Sequence, residues 1–277
     1  MKRLPRTLLL SAALAAAFAA HAGEQEDARA RNAVRVLQEI QKIPENGIPD
    51  KLLDEGRAIV VIPDTIKAGL VLGGRRGHGL MSVKNPDGAW SQPVFVKLTG
   101  GSIGFQAGVQ SSDVVLVFRN DRSLDSIVNG KFTLGADAGV AAGPVGRNAA
   151  AATDGQLKAE IWSWSRARGL FAGVALDGAA LQIDDAADTA AYGANATPRA
   201  IFESRAGAPS ADIIAFRDQL EESTAAARVA RGEPAKAPRP VVTAGAPLAS
   251  PTATEAQTQG FQPVEDGTVT TQPLTTP

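Results

Sequence analysis

Ser102, in Gly100-Gly101-Ser102-Ile103-Gly104, stands in the G-x-S-x-G spacing of a hydrolase nucleophile elbow. Such a serine needs a helix after the turn and a histidine later in the chain to take its proton. The sequence offers only His21 and His78, and both precede Ser102. Apolar alternation also continues past Gly104, as in a strand. The segment therefore reads as a glycine-rich bend, and the chain as a protein without an enzyme's machinery. Metal chemistry finds no better footing. There is no Cys, and one His lies outside the first 22 residues, so no ligand cluster forms at a recognisable spacing. Asp184, Asp185 and Asp188 read as the acidic start of a helix, favoured there by the helix dipole. No metal and no cofactor is expected.

Basic residues are the remaining chemistry. Gly73-Gly74-Arg75-Arg76-Gly77-His78-Gly79 is glycine-rich and cationic, yet it matches neither the dinucleotide nor the P-loop fingerprint. It is either a tight turn with solvated arginines or an exposed basic tip that meets anionic head groups. Lys67 and Lys84 flank it. Arg147 sits in a second Gly-Pro turn, and Arg166 and Arg168 lie beside Trp162, Trp164 and Phe171. The two tryptophans are two residues apart on an expected strand, so a single surface claims both.

These residues need elements to carry them. Ala30, Ala33, Val34, Leu37 and Ile40 recur at helical spacing, and Pro44 and Gly47 end that helix. This narrow stripe could enter lipid or pack on the domain; its few bulky residues favour packing. A short helix follows Pro49. Strands are expected at 58–62, 68–73, 79–84, 90–98, 101–109 and 114–118, with Asn85-Pro86-Asp87-Gly88 as a turn. Asp121-Arg122-Ser123 caps a helix over 124–129. Residues 131–143 alternate with period two and carry Gly135, Gly139 and Gly143 on one face, which predicts a strand with something packed close against it. Residues 156–165 and 169–183 read as a hairpin. A helix opens at Asp184-Asp185 and ends at Tyr192-Gly193, and a last one runs from Ser210 as N-cap to about Arg231.

The first 22 residues read as a secretory leader, with Lys2, Arg3 and Arg6 before an apolar run from Leu8 to Ala20, and Ala20-His21-Ala22 as the cleavage site. The run is shorter than the roughly 20 residues a spanning helix needs. Removing the leader takes the net charge from -1 to about -4, so no global basic excess points to nucleic acid. Residues 23–44 form the N-terminal helix, 45–193 the main domain and 194–232 a helical extension. The stretch 233–277, rich in Pro, Thr, Ala and Gln, reads as a disordered tail. The expected fold is α+β: a strongly curved, mostly antiparallel β-sheet or partial barrel flanked by N- and C-terminal helices.

Six runs resemble, in order, the SYLF domain: Ile59-Val60-Val61-Ile62-Pro63; Lys67-Ala68-Gly69-Leu70 with Gly73 to Gly79; Trp90-Ser91-Gln92-Pro93; Gly100 to Gln106; Gly143-Pro144-Val145-Gly146-Arg147-Asn148; and Arg168 to Gly173. The resemblance spans about residues 45–193, closing on Tyr192-Gly193. It implies a lipid-binding module; eukaryotic members bind phosphoinositides and fungal ones also actin. The leader, and the lack of SH3 or FYVE segments, imply an exported bacterial member in the periplasm or on an envelope membrane, or secreted. Actin binding then survives only as a family label. The lipid-contacting set this implies is Lys67, Arg75, Arg76, Lys84, Arg147, Arg166 and Arg168 on phosphate, with Trp162, Trp164 and Phe171 at the apolar boundary. The partner is an anionic phospholipid or membrane surface. The alternatives are another envelope protein bound on the curved sheet, or a lipid enclosed behind the glycine face of 131–143.

Overall fold

Ala58-Ile59-Val60-Val61-Ile62 is apolar throughout and mostly β-branched, and it becomes the fully buried start of strand β1, Ala58–Gly69. In the computed structural model, residues 23–42, 47–69, 72–103, 108–145, 159–167 and 170–233 are described. The expected leader, the expected tail from residue 234, Arg147 and Arg168 lie outside them. β2 (Leu72–Val83), β3 (Val94–Ile103), β4 (Gly108–Phe118), β5 (Lys131–Thr133), β6 (Val140–Ala142), β7 (Ile161–Ala167), β8 (Leu170–Gly173) and β9 (Ala180–Ile183) complete the described strands. They form one sheet in the order β5-β9-β3-β2-β1-β4-β7-β6, with β8 beside β6 on the same edge of β7. All pairs are antiparallel except β6 with β7.

The sheet curls into a half-barrel. Phe118 on β4 and Phe132 on β5 are five places apart in the strand order, yet their ring centroids are 6.2 Å apart. Residues directly opposite in a ladder share a face, so the registers assign the two sides. Val60, Ile62, Met81, Leu98, Leu116, Phe118, Phe132 and Leu181 line the concave side and are buried. Each such side chain contributes about 1.5–3 kcal/mol by leaving water. The concave interior is thus packed with side chains. Ile59, Val61, Leu80, Phe95, Val115 and Val117 lie on the convex side, also buried.

Helix α1 (Glu24–Gln41) packs against β1 and β2. Its buried stripe is Ala30, Ala33, Val36, Leu37 and Ile40, with Val34 only partly buried. The small alanines let the helix lie close to its neighbours, so packing on the domain occupies the face that could otherwise have entered lipid. α2 (Asp50–Glu55), α3 (Arg122–Val128), α4 (Asp185–Tyr192) and α5 (Pro198–Phe202) are short. The last described helix, α6 (Ala211–Ala230), packs on α1 and α2; its N-cap Ser210 hydroxyl accepts from the Ile213 N–H as expected. Among the described residues, no helix is long and apolar enough to cross a membrane.

Four strand expectations need correction, the first being 101–109, which spans the end of β3 at Ile103 and the start of β4 at Gly108. Residues 131–143 are two short strands around a turn: Gly135 takes φ +85°, where L side chains are strained, and Leu134 bridges Ala138. Gly143 abuts the Trp164 ring, so close that a Cβ there would overlap it. Gly135 therefore serves a turn and Gly143 a close approach, while a Cβ on Gly139 would meet nothing within 4 Å. The arm 169–183 breaks at Asp177-Gly178, where Gly178 has φ +77° and the chain leaves β8 for the far edge at β9. The stretch 68–73 straddles the end of the β1–β2 pairing, where Gly69 faces Gly73, and is not a strand of its own.

Candidate functional site

Past Ile62 the four central strands run on without an apolar core. Pro63 supplies no N–H and Asp64 adopts φ +49°, which makes a bulge where the register shifts between Ile62 and Thr65. The Asp64 N–H donates to Asp113 Oδ1 at 3.0 Å. Arg166 pairs with both Glu39 and Asp113, and Arg35 reaches Glu39, Asp64 and Asp113. This ionic knot ties α1, β1, β4 and β7 together at the bulge. Beyond it the strands carry their ends outward as a rim.

On the concave side the packed interior closes with Thr65, whose side chain lies over Gly77, and with Ala179, whose backbone crosses Gly100. The next pair toward the rim is Lys67 opposite Arg75, two like charges facing each other on one surface. Arg75 in turn faces Gly100 on β3, and Lys67 faces Gln110 on β4. Burial lowers the Arg75 pKa from its ordinary value, which marks a guanidinium partly withdrawn from water. Arg76 points to the convex side, exposed, opposite Ile66. None of these three cations has a hydrogen-bond or ion-pair partner among the described residues. Nor do the segments 65–77, 99–112 and 163–173 contain a single Asp or Glu. The rim also exposes Ile66 (52%), Val109 (74%) and Leu170 (72%).

The other sequence-derived residues lie elsewhere or are occupied. Lys84, at the opposite end of β2, is 8% exposed; burial pushes its pKa down to about 8. Its Nζ sits 4.8 Å from the Trp90 ring centroid and donates to the Asp54 carbonyl. Arg166 is held in the ionic knot. Trp162 and Trp164 share the convex face as expected, but both are buried. Trp164 stacks on half-buried Phe171, with centroids 6.4 Å apart and planes 7° apart, and donates its indole N–H to the Pro144 carbonyl at 3.0 Å. Lys67, Arg75 and Arg76 are therefore the part of the set that the fold brings together and leaves available. Ile66, Val109 and Leu170 were missed. Ile66 and Ala68 alternating with Lys67 was the available signal.

Other charged clusters are internally matched. Asp184 is surrounded by Arg29 (3.5 Å), His78 Nδ1 (3.1 Å) and Lys97 (3.8 Å). Asp188 is buried, with Oδ1 accepting the Phe95 N–H at 2.8 Å and Oδ2 without a partner among the described residues. Burial pushes its pKa up to about 8. Among the described residues no group of three or more His, Cys, Asp or Glu could hold a metal ion. Ser102 lies within β3, which runs on to Ile103 with no elbow at the serine.

Residues 99–223 match the family model Ysc84, described as Las17-binding protein actin regulator. Over 160 residues, 55% of this chain and 46% of the relative, the sequence is 34% identical to human SH3 domain-containing YSC84-like protein 1. It is 33% identical over 168 residues to Protein YSC84 of Saccharomyces cerevisiae, covering 59% of this chain and 36% of that one. LAS seventeen-binding protein 3 of the same yeast is 32% identical over 173 residues, 61% of this chain and 38% of that one. The chain thus spans less than half the length of these relatives.

Proposed function

We propose, from the match of residues 99–223 to the Ysc84 family model, that this chain carries a domain of that family and docks reversibly on anionic phospholipid through the rim of its half-barrel. It acts there as a non-enzymatic binding protein of a bacterial envelope, exported by its leader. One observation supports this reading above the rest: Lys67, Arg75 and Arg76 have no partner among the described residues, at the end of the sheet that also exposes Ile66, Val109 and Leu170. Near an anionic surface each basic residue contributes about 1 kcal/mol, so the three together suit weak, salt-sensitive attachment. The exposed aliphatic side chains add apolar contact at the same edge.

Vesicle flotation of the exported chain tests this. Binding to vesicles of neutral plus anionic lipid, absent on neutral vesicles and weakened by salt, is the expected result. Loss on replacing Lys67, Arg75 and Arg76 together with Ala completes it. No flotation at any composition defeats the reading. The N-terminal residue of the exported chain tests the leader: Gly23 is expected.

A second reading has its own support. The matched family and a yeast relative carry names that describe Las17 binding, so the rim could instead seat a protein. Retention of a protein ligand without any vesicle binding favours it.

A further inference from the structure

Lys67 and Arg75 are directly opposite each other on the concave surface, whereas Arg76, the next residue, lies on the convex surface. An exposed surface charge needs no explanation; two like charges in register on one face, one of them partly withdrawn from water, do. Such a pair disfavours the sheet. No Asp or Glu stands on the neighbouring strand ends to offset it. Glycines surround the pair: Gly69 and Gly73 toward the rim, Gly77 toward the interior, and Gly100 beside Arg75 on β3. On β3 opposite Arg75, Gly100 carries no side chain and Ala179 packs over it; with Thr65 over Gly77 this closes the floor. The arrangement has two cationic donors on one face above a closed base.

Resting on the docking reading above, we infer that Lys67 and Arg75 form a discrete site on the concave face for one doubly charged phosphoryl group, a phosphomonoester, held between the ammonium and the guanidinium. Arg offers two parallel N–H donors and Lys a point charge; together they suit a terminal phosphate with three free oxygens better than a diester with two. The same chemistry could be presented by a lipid head group or by free phosphate. Arg76 takes part in surface attraction only, since it faces the other way.

The test uses the full exported chain, vesicles containing phosphatidic acid or phosphatidylglycerol at matched surface potential, and inorganic phosphate alone in calorimetry. The expected preference for the monoester vesicles is about tenfold, a scale set by one or two additional charge-assisted hydrogen bonds. Lys67→Ala with Arg75→Ala abolishes that preference, while Arg76→Ala weakens both vesicle types and keeps the ratio. Phosphate binding in calorimetry that the double variant loses supports the site with free phosphate as the source. Equal binding to both vesicle types, with the double variant no worse than Arg76→Ala and no phosphate heat, overturns the site while leaving membrane docking intact. Phosphate binding without any vesicle binding defeats docking and keeps the site. Because the substitutions remove a repulsive pair, thermal unfolding of the double variant should not fall below wild type; a clear fall would show the pair to be structural and overturn the inference.

Discussion

The two ends of the central strands treat charge in opposite ways. At the closed end, Asp54 is gripped by Arg228 (2.5 Å) and Arg231 (2.8 Å), its own carbonyl accepts from Lys84, and Lys84 lies over Trp90. Each charge there has a counterpart, and the polar contacts tie α2, β2 and α6 into one unit. At the rim, Lys67, Arg75 and Arg76 have none among the described residues, and aliphatic side chains stand exposed beside them. The matched charges at one end therefore serve folding, and the proposed docking surface lies at the other. Substitutions at the two ends should separate cleanly into those that change stability and those that change binding.

The largest expected effect on stability is in the packed region. Trp164 is fully buried, stacks on Phe171 and seats against Gly143. Trp164→Ala should cost about 3–5 kcal/mol in denaturant unfolding. Well below its own melting temperature the variant should still float with anionic vesicles. Loss of binding in the folded variant would mean that the indole, and not the rim, meets lipid.

Asp188 comes next, through pH. Its carboxyl is pushed up to about 8 in the folded protein, against an ordinary value of 3.8, chiefly by burial. Between those values the folded state holds a proton that the unfolded state has released. Stability should then fall as pH rises from about 4 to about 8, and level off above. Asp188→Asn keeps an oxygen for the Phe95 N–H and removes the titration. The two proteins should melt alike near pH 4, and the lead of the Asn variant should widen as pH rises, reaching several kcal/mol by pH 8. Parallel pH curves for both would place the dependence elsewhere. Asp54→Ala is expected to cost about 1–3 kcal/mol, because it leaves two partly buried arginines to find Glu55 or Glu233. Vesicle binding should be unmoved.

How far the sequence discloses this division depends on how local the cause is. The α6 boundary was readable because Ser210 caps it from within one turn, and α4 because Asp184 and Gly193 bracket it. The strand expected over 131–143 failed because Ala and Gly produce period-two alternation without committing a face; the close approach of Gly143 to Trp164 is tertiary. The basic run at Arg75 and Arg76 was visible as a tip. Lys84 was grouped with it, although eight residues of strand separate it from Arg76, roughly 25 Å at about 3.3 Å per residue. Arg166 looked free because Glu39 and Asp113, which hold it, are 127 and 53 positions away. The bulge at Asp64, which sets where the core ends and the rim begins, left only Pro63 as its sequence trace.

The smallest expected change in stability divides the two ends most sharply. Lys67→Glu puts a carboxylate opposite Arg75 in the same register, turning a repulsive cross-strand pair into an attractive one. The gain should be about 0.2–1 kcal/mol, since the pair is only half-buried and screened by water. The same change removes one cation, occupies the other and adds a negative charge facing the membrane, so flotation on anionic vesicles should drop severalfold. A protein that becomes slightly more stable as it loses its ligand carries that repulsion for binding, not for folding. If Lys67→Glu instead lowers the melting temperature and leaves vesicle binding unchanged, Lys67 belongs with the matched charges of the closed end, and the contrast between the two ends fails at the residue where it was sharpest.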